Sequence, residues 1–447
     1  MKSKATVMAL SFAAGSLLAV PAGATDGYFQ HGYGLRAKGM GGAATALTGD
    51  TFGGANNPAT MVFTGDRIDF GLDVFSPERS AERSGSDPLL GPIDGSADSD
   101  STVFLIPEFG YNRLISPVLS LGVTVYGNGG MNTDYPGGQI PATSACAGFY
   151  PVPPAGPYNL LCGTGSLGVD LVQLVVAPTI SYKLSDSQAV GVSPLIGMQR
   201  FSADGVQAFA GFSTSPSDAS NRGYDTAYGF GVRVGWFGQI TEALSLGAAY
   251  SSKVYMSEFD KYKGLFAGQG DFDMPENFNL GMAFKVSPAV TVAADYQRIN
   301  YSGVESVGNP SSLLLDCAGG NADACLGGSN GAGFGWTDVN VWKLGVEYRQ
   351  SDRLTLRGGY NHTDNPVQAS DVTINILAPG VVQDHVTLGM TYVTQGGGEL
   401  TLAYMHAFKN SVTGPSFFNN FTGGLPAGNE TIEMSQNAIG IAYGWKL

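Results

Sequence analysis

Phe278-Asn279-Leu280-Gly281-Met282-Ala283-Phe284-Lys285-Val286 carries a large apolar side chain at every second position, with Asn, Gly, Ala and Lys between. Successive side chains of a strand point to opposite faces, so this run has one apolar face and one mixed, mostly small and polar face. The same period returns along the chain. Ile68, Phe70, Leu72 and Val74 alternate with Arg67, Asp69, Gly71 and Asp73. Tyr228, Phe230, Val232, Val234 and Trp236 alternate with Gly229, Gly231, Arg233 and Gly235. Trp342, Leu344, Val346 and Tyr348 alternate with Lys343, Gly345, Glu347 and Arg349, and Val386, Leu388, Met390 and Tyr392 with His385, Thr387, Gly389 and Thr391. Ile439, Ile441, Tyr443, Trp445 and Leu447 carry the alternation to the carboxyl terminus.

A soluble β-sandwich shares this alternation, but three features favour a membrane barrel. Aromatic residues stand at strand ends on the apolar face, where a bilayer interface holds them. The opposite face is Gly, Ser, Thr and scattered charge, as a barrel lumen is. Connections alternate in length: short near Ser116-Pro117, Ser185-Asp186, Thr241-Glu242, Ser287-Pro288, Ser351-Asp352 and 396–398, long near 78–100, 128–168, 203–223, 257–273, 302–335, 365–380 and 411–429. Short turns on one side and long loops on the other are the outer-membrane pattern. They predict an all-β fold, a fourteen-stranded antiparallel transmembrane barrel, with strands beginning near 66, 101, 119, 170, 188, 225, 244, 275, 289, 337, 353, 382, 399 and 431. An even count places both termini on the periplasmic side.

Composition agrees. The 447 residues include 65 Gly and only 13% charged residues, at a mean hydropathy of +0.04. The body has no apolar run of about 18 residues, as a membrane helix needs. Lys+Arg number 23 against 37 Asp+Glu, a formal charge of −14, which argues against a nucleic-acid partner. Residues 1–24 read as a cleaved secretory signal: Lys2 and Lys4, an apolar stretch from Val7 to Val20, and Ala22-Gly23-Ala24 as the small-residue site. Residues 65–447 are then the barrel.

Residues 25–64 do not alternate. They are Gly- and Ala-rich, and Tyr28, Phe29, Tyr33, Leu35, Met40, Met61 and Phe63 give them apolar groups to bury. A fourteen-stranded barrel is too wide for wall side chains to fill, so this segment is expected to plug it. Cys146 with Cys162, and Cys317 with Cys325, fall as close pairs inside long loops; in an oxidising compartment each reads as a disulfide. A metal site would want CxxC spacing and a nearby His, so no metal or cofactor is expected.

At this point the residues resemble a known family, the outer-membrane long-chain fatty-acid transporters and their aromatic-hydrocarbon relatives (FadL/TodX-like, OMPP1). The resemblance is carried by Gly32-Tyr33-Gly34-Leu35-Arg36-Ala37, Gly39-Met40-Gly41-Gly42-Ala43, the plug motif Asn57-Pro58-Ala59, Tyr360-Asn361-His362 with Asn365-Pro366-Val367, and Tyr404-Met405-His406, in that order. It implies passive uptake of a hydrophobic molecule. Extracellular loops catch the molecule, a tighter pocket beside the start of the plug holds it, and the plug shifts. It then leaves sideways through a wall gap at an inward kink in strand three. On this sequence the pocket falls at Thr25, Tyr28, Phe29 and His31. Val206, Phe209 and Phe212, at helical spacing, and Leu265 and Phe266 are the candidate capture groove; Gly127-Asn128-Gly129-Gly130 is the candidate gap. Outer-membrane lipid and lipopolysaccharide surround such a barrel, barrel-assembly machinery inserts it, and a monomer is expected.

A fatty carboxylate needs a cationic partner in an apolar pocket. Inward parity offers Arg233, Lys343 and Arg357, besides Lys285 and Arg349; Asp69, Asp73, Glu108, Asp295 and Glu347 share that face. Fatty-acid members are expected to carry a Lys at the start of strand ten, where this chain has Trp336-Thr337-Asp338. That departure raises the reading of aromatic hydrocarbons or alkanes as cargo. Two rivals remain. An enzyme is disfavoured because His31, His362, His385 and His406 sit in no nucleophile motif. A general porin needs an open lumen.

Overall fold

A computed structural model describes residues 26–447; the expected signal peptide and Thr25 lie outside them. Fourteen antiparallel strands form the wall: β1 Arg67–Ser84, β2 Phe104–Ser116, β3 Leu119–Tyr135, β4 Leu167–Ser185, β5 Gln188–Asp204, β6 Asp225–Gln239, β7 Leu244–Ser251, β8 Asn277–Ser287, β9 Val290–Ile299, β10 Val339–Arg349, β11 Leu354–Thr363, β12 Asp384–Val393, β13 Glu399–Pro415 and β14 Asn429–Lys446. Each pairs with its sequence neighbours, and β14 pairs with β1 along 18 residues, closing the barrel. Every predicted strand start lies within three residues of the observed one. Two short strands lie off the wall order: Gly95–Asp98 on β1 and Tyr255–Met256 on β6.

Alternation sorts the faces. On β12, Leu388 is 65% exposed while Thr387 beside it is 3%. Phe70, Phe230, Leu280, Trp342, Leu388 and Ile439 form part of an exposed apolar exterior, suited to lipid. Tyr443 and Trp445 meet at a tilt near the short-turn end, and Phe70 stacks on Trp445 at 6.0 Å. β1, β3 and β13 continue into segments expected to be loop. Beyond the bilayer the outer face no longer has to be apolar, so hydropathy alternation stops while the hydrogen-bonded ladder runs on. Arg83, in the extended part of β1, pairs at 2.5 Å with Glu430 of β14, both fully buried.

Residues 26–66 lie inside the wall and are bound to it mainly through wall carboxylates. Asp295 accepts the amides of Ala44 and Thr45 at 2.8 Å, Glu108 those of Gly34 and Leu35 at 3.2 Å, and Asp69 the Thr51 amide at 3.1 Å. Lys38 pairs with Asp73 at 2.6 Å, and Arg36 with Glu399. Asn57-Pro58-Ala59 is a local cap: the Asn57 side chain accepts the Ala59 amide, Pro58 opens a short 3-10 helix, and Asn57 Nδ2 donates to the Thr45 and Trp236 carbonyls at 2.9 Å. The loop disulfides Cys146–Cys162 and Cys317–Cys325 are both formed.

Candidate functional site: a seam closed from within

β2 and β3 pair along only seven residues, from Phe109↔Val125 down to Ser116↔Leu119. Above that, β2 stays with β1 and β3 with β4, and the β3–β4 register slips between Gly127 and Gly129. Asn128 is the extra residue of a bulge, which bends the strand, and residues 126–131 are all buried. Residues 26–30 lie along the bend. Phe29 bridges to Gly129, the Gly130 amide donates to the Tyr28 carbonyl at 3.1 Å, and the Gln30 amide to the Asn128 carbonyl at 3.3 Å. Gln30 Nε2 donates to the Gly127 carbonyl at 2.7 Å, and the Tyr33 hydroxyl to Asn128 Oδ1 at 3.1 Å. A Cβ on Gly129 would stand 1.7 Å from the Tyr28 oxygen, so only glycine admits the chain here.

The limb of residues 26–33 is gripped from the other side by aromatic groups. Tyr301 donates its hydroxyl to the Asp26 carbonyl at 2.5 Å and accepts the Tyr28 amide at 3.1 Å. The Tyr28 ring lies 5.0 Å from Tyr301, 5.7 Å from Trp336 and 5.6 Å from Phe29. Beside it is a cavity of about 30 Å³, lined by Gly27, Tyr28, Phe75, Arg79, Phe104, Met131, Trp336 and Met434 among others. That is room for water, not for an alkyl chain or a ring. Three of the walls, Gly27-Tyr28, Trp336 and Ala378-Pro379-Gly380, are not on barrel strands, so they are the ones able to yield.

The expected cations separate. Lys343 donates to the His31 carbonyl at 2.9 Å and Gln297 at 2.8 Å, and stands 3.7 Å from Asp26; both Asp26 carboxyl oxygens are buried without a hydrogen bond. Burial pushes the Asp26 carboxyl up to about 6, against the pull of Lys343. The His31 ring stacks on His385, 6.2 Å between centroids. Arg233 donates to the Gly54 carbonyl of the inner segment at 3.4 Å. Arg357 pairs with Glu347 at 2.7 Å in a polar cleft beside Arg36 and Glu399, away from the aromatic cavity. Thr337 is engaged with the Pro366 carbonyl.

Of the expected capture residues, Val206, Phe209, Leu265 and Phe266 are buried, Phe209 against Phe417 and Phe418 and Phe266 against Phe201 and Phe272. Phe212 is half-buried and meets Phe421, which is exposed. The residue that sequence reasoning missed is Arg79. It shares the parity of Asp69 and Asp73, which would have turned it inward, but fell in a stretch expected to be loop.

Residues 159–444 match the family described as outer membrane protein transport protein (OMPP1/FadL/TodX). The chain belongs to this family. It is an outer-membrane transporter of hydrophobic compounds from the Gram-negative envelope. Solved structures show the same fold at low identity. The Pseudomonas putida toluene transporter TodX is 18% identical, with TM-score 0.65, and the match covers 93% of this chain and 99% of that one. A Pseudomonas aeruginosa FadL homologue is 14% identical, with TM-score 0.65 and coverage of 94% and 99%. The Ralstonia pickettii toluene transporter TbuX is 18% identical, with TM-score 0.60 and coverage of 93% and 99%. No curated protein matches the chain.

Proposed function

We propose that this FadL/TodX-family barrel carries long-chain fatty acids passively across the outer membrane. Cargo caught by the extracellular aromatic loops enters the cavity beside Tyr28 and leaves sideways between β2 and β3. The observation that carries this is the short β2–β3 seam, shut from the lumen by residues 26–30 rather than by its own ladder. At about 30 Å³ the cavity must swell to accept cargo. The wall that yields includes Gly27 and Tyr28, which are part of what shuts the seam, so loading and opening are one movement. Burial of an alkyl chain supplies about 0.8 kcal/mol per CH₂, enough for capture without an energy source. The plug, residues 25–64, stays seated apart from its first residues, because its later part is held by Asp69, Asp73, Glu108, Asp295 and Glu399. Removal of residues 1–24 on export leaves the limb with a free end.

Deleting Asn128 tests the exit. It removes the bulge, straightens β3 toward β2, and is expected to lower oleate uptake by about tenfold or more in a barrel that still inserts; unchanged uptake overturns lateral exit. A second cargo class, monoaromatic hydrocarbons, is favoured by the aromatic lining of Tyr28, Phe75, Phe104 and Trp336 and by the uncharged Thr337. The toluene transporters TodX and TbuX share the fold. Saturable uptake of toluene but not oleate would decide for it. If the intact protein conducts ions like an open pore, it is a porin and neither cargo reading stands.

A further inference from the structure

Most buried cations inside the wall meet a carboxylate: Lys38 meets Asp73, Arg67 Asp69, Arg83 Glu430, Lys343 Asp26 and Arg357 Glu347. Arg79 does not. It projects from β1 into the wall of the aromatic cavity and is buried, and its guanidinium lies 5.6 Å from the Phe104 ring centroid. Its terminal nitrogens donate to two main-chain carbonyls, those of Ser101 and Asn132, while Nε has no partner. No ion pair engages it among the described residues. Arg233 also lacks one, but it does not line this cavity. The buried hydroxyl of Tyr135, a neighbour of the Arg79 guanidinium, is likewise without a partner.

A desolvated guanidinium without a counter-charge is costly, and a carboxylate is the acceptor whose planar, two-oxygen shape suits it. We propose that Arg79 reads the carboxylate of the cargo: the cavity takes molecules with one carboxylate on an apolar body, and Arg79 supplies the cation missing at Thr337. This rests on the reading of the cavity as the cargo site. The two carbonyls that Arg79 now holds lie on opposite sides of the opening, Ser101 just before β2 and Asn132 on the detached upper part of β3. A carboxylate is a stronger acceptor than a carbonyl. A cargo headgroup taking the guanidinium therefore loosens one of the links that span the top of the seam, leaving the Asp134 amide on Ser99 Oγ and the Asp100 amide on the Asp134 carbonyl.

The test compares oleate with methyl oleate, equal in apolar body and different in charge, binding at pH 8 to the purified full-length barrel. Folding is checked by heat-dependent gel migration. The wild type is expected to prefer oleate by about tenfold or more. Arg79→Gln is expected to bind both alike at the wild-type methyl oleate affinity, and Arg79→Lys to keep a reduced preference. A preference that survives in Arg79→Gln, or none in the wild type, overturns the proposal. So does an equal loss for both ligands, which would make Arg79 a strut only. If Arg79→Gln does not insert, Arg79→Lys decides: a retained preference supports carboxylate reading, and an absent one overturns it. Failure of the wild type to bind either ligand overturns instead the cargo reading of the cavity.

Discussion

Two seams of this wall are equally short. β6 and β7 pair along seven residues, as β2 and β3 do, and leave residues 225–232 of β6 without a β7 partner. At that seam the deficit is made good in the plane of the sheet. The loop after β7 lays Tyr255–Met256 against Gly229 and Phe230, and adds hydrogen bonds from Ser252 to the Val232 carbonyl and from Ser257 to the Tyr228 carbonyl. At the β2–β3 seam the filler comes from inside the barrel and belongs to the amino-terminal limb. A short seam is therefore not in itself an exit. What separates the two is whether the filler is a loop tied at both ends or the leading edge of a segment that also walls an apolar cavity.

The comparison can be broken by glycine replacement at both seams. A Cβ at Gly129 meets the Tyr28 oxygen at 1.7 Å, and one at Gly229 meets the Tyr255 oxygen at 2.3 Å. Gly129→Ala is expected to unseat the limb, raising hydrogen exchange over residues 26–33 by about tenfold or more and increasing leak of small hydrocarbons. Gly229→Ala loosens its own filler but leaves uptake unchanged; an equal rise in leak would erase the distinction. A smaller effect comes from Tyr301→Phe, which removes the donor to Asp26 and the acceptor for Tyr28. The limb should open more easily by about 1–3 kcal/mol, read by exchange of the same residues, with barrel melting unchanged. The smallest is a pH effect. Because burial raises the Asp26 carboxyl from 3.8 to about 6, the seated limb binds a proton more tightly than the released one. Seating is strongest below about 4 and weakens as pH rises through 6. Lys343, Tyr33 and Tyr301 are the charged or titratable groups that act on it. Affinity for uncharged methyl oleate should fall as pH drops from 7 to 5, and Asp26→Asn should flatten that profile.

The wall was legible in the sequence because lipid outside and water or plug inside impose period two on every strand, from Ile68 to Leu447. The kink was visible as a glycine cluster, since Gly127, Gly129 and Gly130 leave room for a second backbone. The partners of that backbone were not. Nothing in Asp26-Gly27-Tyr28-Phe29-Gln30 announces pairing with a strand about a hundred residues away, and Tyr301 and Trp336 reach the limb from the two ends of the long loop between β9 and β10. Arg79 was hidden for a related reason. It lies where β1 has left the bilayer, so the outward neighbours Ser76, Glu78 and Ser80 no longer show an apolar outer face, and inward parity could be read only from the ladder.

Much of the inner segment is held by carboxylates that grasp main-chain amides: Asp295 at Ala44 and Thr45, Glu108 at Gly34 and Leu35, Asp69 at Thr51. Amides are the same whatever residue bears them. The stopper's seat is thus indifferent to most of the side chains it holds. Residues there are at liberty to drift over evolutionary time, reshaping what the bore admits without ever unfastening the stopper.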